Sequence, residues 1–387
     1  MNADKTPLRY HGFDLLRSVA MLLGIVIHAP IVYADRVVAQ EVVPMVTNLP
    51  ELEDWIGVIL LWIHCWRMPT FFLIAGFMSI LVIERTSATF FLRDRILRVA
   101  CPMVLFGFLL IGYPSNNHFA IGHFWFLYCL IAIIGTFILS SFLIPFLSIQ
   151  RIKPVVTWPF LKPSHLLSLL TIFILVRLLC SFPYNGNLPI PEVYSKFFVG
   201  TFIYYSFWFY AGIGLFLARS EIVKFTNFKF ISLVGLLSIS SMIVAAFVID
   251  TYDFFVTPET LNENSTPTFF LMNMYWACTT FLWTLFLTFL FQRLLNRRST
   301  FVCWLVELSY PTYIFHLTLA IVISGELIKS GFDQSEVFLM TIPFTFGSCL
   351  ICYYIFVKFT PLNWIVNGYK KSWFKFPRLF GSLSLNN

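Results

Sequence analysis

Ten stretches of roughly 20 mostly apolar residues, set apart by polar loops, leave this chain few folds to choose from. They run over 13–33, 56–83, 97–113, 119–145, 165–183, 198–218, 230–249, 268–292, 301–325 and 336–358. Lipid offers no partner to backbone N–H and C=O groups, so a single segment that crosses a bilayer does so as a helix. Composition agrees, because 58% of the 387 residues are hydrophobic and only 12% are charged, against about 25% charged in a soluble domain. The expected fold class is all-α, a polytopic membrane protein of about ten transmembrane helices.

The loops give an orientation. Every second one is basic: Arg85, Arg93, Arg95 and Arg98; Arg151, Lys153 and Lys162; Arg219, Lys224 and Lys229; Arg293, Arg297 and Arg298. The intervening loops carry only Arg36, Lys196 and Lys329, and hold most of the acids, among them Glu51, Glu53, Asp54, Asp253, Glu259 and Glu263. Positive loops stay inside, so both termini are expected in the cytoplasm and the chain in the plasma (cell inner) membrane. The net charge of +7 then follows from topology and calls for no nucleic acid. No internal repeat divides the chain. It reads as one transmembrane domain over 1–366 and a basic tail over 367–387 that lies on the inner leaflet. The first stretch is too long for a signal-peptide core and carries Asp14 and Arg17. The eight cysteines fall inside apolar segments and read as small core residues, with neither disulfide nor metal expected.

Ionisable side chains inside spans cost several kcal/mol unless paired or hydrated, so they mark candidate sites. Asp14 and Arg17 are three residues apart and can pair on one helix face. His28 lies eleven residues beyond Arg17, on nearly the same face and roughly 16 Å further along the axis. The second stretch carries His64 and Arg67 on one face, with Pro69 and Gly76 permitting a kink that opens a cavity. The fourth opens on His123 and Trp125. The ninth aligns Ser309, Tyr313 and His316 along one stripe, with Glu307 roughly opposite. Arg95 and Arg98 gather with Arg17 at the basic face, whereas the four histidines lie between mid-membrane and the other surface. Such an arrangement suits a donor whose phosphates stay in the cytoplasm and whose reactive end reaches inward to an imidazole, the side chain fitted to proton transfer near neutral pH. Asn264, Ser265 and Thr266 match a glycosylation sequon, a short motif common by chance.

Taken together and in order, these motifs resemble the acyltransferase-3 family of membrane acyltransferases over nearly the whole chain. The marks are Phe13-Asp14-Leu15-Leu16-Arg17, the Arg17-to-His28 spacing, Phe71-Phe72-Leu73-Ile74-Ala75-Gly76-Phe77, Arg95-x-x-Arg98, His123-Phe124-Trp125-Phe126-Leu127, and Ser309-Tyr310-Pro311-Thr312-Tyr313-Ile314-Phe315-His316. Within the family, the stretch Trp62 to Phe72 is similar to the glucans biosynthesis protein C branch, associated with succinylation of osmoregulated periplasmic glucans. The chain departs from that branch in the ninth stretch, where the branch has two adjacent histidines and this chain has His316 alone.

The resemblance implies an acyl-CoA donor and a hydroxyl of an envelope glycan as acceptor. It implies that Arg17, Arg95 and Arg98 bind the CoA phosphates while Asp14 orients Arg17. His28 is then the general base, directly or by way of an acyl-enzyme. Arg67, or Tyr313 with Ser309, stabilises the oxyanion, and His64, His123, Trp125 and His316 line the acceptor side. The acyl group would be succinyl, else acetyl. A competing reading is a proton-coupled transporter or flippase, which also needs intramembrane His and Arg.

Overall fold

A computed structural model describes residues 10–44, 49–111, 122–143, 149–184, 188, 197–251 and 267–368. Among these residues the regular structure is helical throughout, with no strand. All ten apolar stretches are helices. The first is α1 (His11–His28) and the second α2 (Asp54–Arg85). The third, α3, runs from Ala88–Arg95 through a π-helical turn at Ile96–Ala100 into Cys101–Ile111. Then come α4 (Trp125–Leu143), α5 (Leu166–Ser181), α6 (Val199–Leu217), α7 (Phe228–Thr251) and α8 (Pro267–Leu294). The set closes with α9 (Thr300–Lys329), α10 (Gln334–Cys352), which continues into a second π-helical turn at Tyr353–Lys358, and a short α11 (Leu362–Val366).

Eight of these helices are long and apolar enough to cross a membrane, and a ninth crossing results if Arg219–Phe225 and Phe228–Val244, bent by 69°, form one span. The stretch expected at 97–113 is the one that does not qualify. Its π-helical turn carries Arg98, and the purely apolar part, Cys101–Ile111, has 11 residues. The sequon at 264–266 and nearly all of the basic tail lie outside the described residues.

The first span also ends earlier than its hydropathy, at His28 instead of Tyr33. Pro30 is the physical reason, since it disfavours continued helix at the residue before it and has no N–H to donate. A separate turn of helix follows at Ile31–Ala34.

α1 occupies the middle of the bundle, packed by α9, α8, α2 and α10. Its polar stripe therefore faces protein, not lipid. α2 runs unbroken through Pro69 and lies along α6. There Gly76 serves close approach: a Cβ on it would run into the Phe209 carbonyl oxygen, and one on Gly212 into the Leu73 carbonyl oxygen. Small residues facing backbone in this way let membrane helices pack tightly. Gly212→Leu should cost at least about 1–3 kcal/mol by overpacking, read as a lower unfolding temperature of the detergent-solubilised protein. A wild-type temperature would show that α2 and α6 do not meet at these glycines.

Candidate active site

One end of the bundle gathers the three arginines. Arg17 from α1 and Arg95 and Arg98 from α3 line a cavity of about 100 Å³, together with Ser309 and Tyr310 of α9 and Asn367 beyond α11. Its inner wall is apolar, formed by Met21, Phe71, Leu127 and Leu130. Asp14 lies 3.8 Å from Arg17 Nη2, and Asp94 lies 3.0 Å from Arg95 Nη2 and 3.8 Å from Arg98 Nη1. Two carboxylates facing three guanidinium groups leave a positive balance. The Nε atoms of Arg95 and Arg98 and the hydroxyl of Tyr310 are buried with no hydrogen-bond partner. Buried donors in such a setting ask for an anionic ligand, which arginine's fork of N–H groups suits.

Further along the same helices lies a cluster of imidazoles. The ring of His316 is 5.2 Å from that of His28 and 5.1 Å from that of His123, centroid to centroid. His316 is fully buried, and its Nδ1 stands 2.6 Å from the Tyr313 carbonyl. A carbonyl only accepts, so Nδ1 carries the proton and Nε2 is the basic nitrogen. That nitrogen is buried and has no partner. It faces Gly24 of α1, where a Cβ would lie 2.7 Å from His316 Nε2 and 2.8 Å from Arg67 Nη2. The missing side chain of Gly24 thus lets a basic nitrogen and a guanidinium N–H converge on the α1 backbone. Arg67 is held by donating from Nε to the Ala20 carbonyl at 2.6 Å, which fixes the direction of its remaining N–H groups.

His28 and His64 are closely surrounded by protein atoms but keep accessible surface, His64 more of it. His64 lies within electrostatic reach of His28 and Arg67, and Tyr205 within reach of Arg67. Trp125 stacks 5.6 Å from Tyr205, which brings it to the same group. His64 Nδ1 lies 2.8 Å from the Leu60 carbonyl, so its Nε2 is also the basic nitrogen.

Four helices carry both assemblies in the same order. α1 gives Arg17 and Met21 to the cavity, then Gly24 and His28 to the cluster. α9 gives Ser309 and Tyr310, then Tyr313 and His316. α2 gives Phe71 and, one turn away, Arg67. α4 gives Leu127 and, just before its start, His123. From Arg17 to Gly24 the rise is roughly 10 Å. The imidazole–guanidinium pair at Gly24 thus lies about that far along α1 from the arginine cavity.

Two residues sit otherwise than their sequence stripe implied. The Tyr313 hydroxyl donates to the His123 carbonyl at 2.5 Å, so it braces that loop. Ser309 lines the arginine cavity, and its hydroxyl donates to the Val306 carbonyl at 3.1 Å. Arg67 is then the donor nearest His316. Glu307, on another face of α9, accepts a hydrogen bond from Tyr353. Gly24, Tyr205, Tyr310 and Asn367 escaped the sequence reading. For Gly24 a signal existed, since it lies seven residues after Arg17 on the His28 stripe. No group of three or more His, Cys, Asp or Glu that could hold a metal occurs among the described residues.

A family model described as an acyltransferase domain matches residues 10–357. No curated protein and no solved structure matches the chain.

Proposed function

Since the chain belongs to the acyltransferase-3 family, we propose that it moves an acyl group from acyl-CoA to a hydroxyl of an envelope glycan, succinyl in the first instance and acetyl as the alternative. In this reading the arginine end faces the cytoplasm of a plasma-membrane protein, and the acceptor arrives at the exposed side of His64. The observation that carries it is the placement of an anion-seeking cavity and an imidazole–guanidinium pair on consecutive turns of the same helices.

The donor's phosphates bind Arg17, Arg95 and Arg98, and Asp14 holds Arg17 in place. The arm of the donor passes Met21 and Phe71 and brings the thioester towards His316 Nε2 and Arg67 Nη2, which converge over the bare backbone of Gly24. The acceptor enters past His64 and Trp125, and its hydroxyl meets His28. His28 removes the hydroxyl proton as the oxygen attacks the thioester carbon. The carbonyl oxygen gains the negative charge, and Arg67 Nη2 donates to it in a site that excludes water, where such a contact counts most. The C–S bond then breaks, and the proton passes from imidazole to the leaving thiolate. The products are the ester and free CoA, with atoms and charge balanced. His316, ring to ring with His28, accepts a hydrogen bond at Nε2 and shares the proton. His123 and Tyr313 hold His316 from behind.

The reading is tested by supplying acyl-CoA, labelled in the acyl carbonyl, to membranes with and without the chain and analysing the glycans by mass spectrometry. The expected result is labelled ester on glycan only where the chain is present, lost in Arg95→Ala/Arg98→Ala. Movement of an intact glycan or lipid-linked substrate across proteoliposomes with no use of acyl-CoA would replace transfer by transport.

A further inference from the structure

The arginine cavity is lined in part by residues that the family match does not reach. That match ends at residue 357, and Val366 and Asn367, which line the cavity, lie on the segment after it. The segment begins where the π-helical turn Tyr353–Lys358 ends. It turns at Thr360, whose hydroxyl donates to the Phe356 carbonyl at 2.7 Å and accepts from the Leu362 N–H at 3.3 Å. α11 then packs against both π-helical turns, the one that has just ended and the one at Ile96–Ala100 that carries Arg98. π-helical turns recur at functional sites because they displace side chains from the regular ladder.

The segment is tied down by its own amides. Asn363 is buried and donates from Nδ2 to the Lys358 carbonyl at 3.1 Å; its Oδ1 accepts from Asn367 Nδ2 at 3.0 Å. That leaves the Asn367 amide with a second N–H and an acceptor oxygen on a side chain that is 6% exposed and lines the cavity. Gly368 follows with φ +92, a backbone shape that favours glycine, and a Cβ there would come within 3.6 Å of Arg98 Nε. The chain thus bends directly over the guanidinium whose Nε is buried without a partner.

At about 100 Å³ the cavity is smaller than the ~300–1,000 Å³ of ordinary small-molecule pockets. Resting on the donor reading above, we propose that residues 359–368 form a lid that opens to admit the nucleotide end of the donor and closes on its phosphates through Asn367. The segment is one short helix, secured by side-chain amides and by Leu362, Ile365 and Val366 packed on the core, and it would hinge at the Thr360–Pro361 turn.

The test uses the full chain in detergent, with coenzyme A as the probe. Backbone hydrogen exchange over 362–368 should slow on addition of coenzyme A, and Asn367→Asp, which sets an anion in the cavity, should weaken its binding about tenfold. In turnover, the same variant should raise the donor KM and leave the acceptor KM unchanged. Arg98→Ala serves as the reference for lost anion binding. Binding that Arg98→Ala weakens and Asn367→Asp leaves intact, with exchange over 362–368 unaffected, would overturn the lid alone. No coenzyme A binding by the wild-type chain would overturn the donor reading and the lid with it.

Discussion

Replacing His28 by alanine is expected to lower acyl transfer by about 10²–10⁴-fold, the usual contribution of a placed general base, while coenzyme A still binds at the arginines. The double variant His28→Ala/His316→Ala is expected to be scarcely slower than either single one. The two rings stand 5.2 Å apart, and groups that act as a unit lose their effect together. The measurement is initial rate against donor concentration for the three variants in one membrane preparation. Losses that multiply would mean that the imidazoles act in separate steps. Full activity in His28→Ala would take that residue out of the chemistry.

Gly24→Ala is the second large effect, because it adds one methyl group where two functional side chains converge. Its Cβ would stand 2.7 Å from His316 Nε2 and 2.8 Å from Arg67 Nη2, closer than carbon can approach nitrogen without displacing it. The imidazole and the guanidinium must therefore shift. A displacement of about 1 Å at reacting groups costs on the order of 10²-fold in rate. The expected outcome is a fall in kcat of at least that size with little change in coenzyme A affinity, since the arginine cavity lies on the far side of Met21. Wild-type turnover in Gly24→Ala would mean that the thioester carbon sits elsewhere.

The helices were legible in the sequence because hydropathy over some 20 residues reports directly on lipid. So was the gathering of Arg17, Arg95 and Arg98, since membrane topology alone brings them to one face. The convergence of His28, His123 and His316 was legible only as a shared depth. Which helix meets which is set by packing, and a helix that is apolar all round carries no stripe to announce its neighbours. For that reason Ser309 and Tyr313, correctly aligned on one face, were read as partners of the histidine chemistry, when one lines the arginine cavity and the other braces the His123 loop. The stop at Pro30 was readable but was outweighed by the continuing hydropathy through Ile31 and Val32. Asn367 gave no signal at all, because nothing local to an Asn-Gly pair tells that it folds back over Arg98, 269 residues earlier in the chain.

Met21 and Phe71 line the inner part of the arginine cavity and are nearly inaccessible, and Tyr313, His316 and Arg67 further along the same helices are buried as well. A protein that passes a small group between two aqueous compartments must still keep those compartments electrically apart. Under the proposed function this apolar stop would be the insulating layer, and a charge moved across the whole membrane is worth about 2.3 kcal/mol for each 100 mV. Arg67, held at the same level, would carry its positive charge within that field. The proposed oxyanion donor would then feel the membrane voltage, so transfer would run at different rates in energised and de-energised membranes.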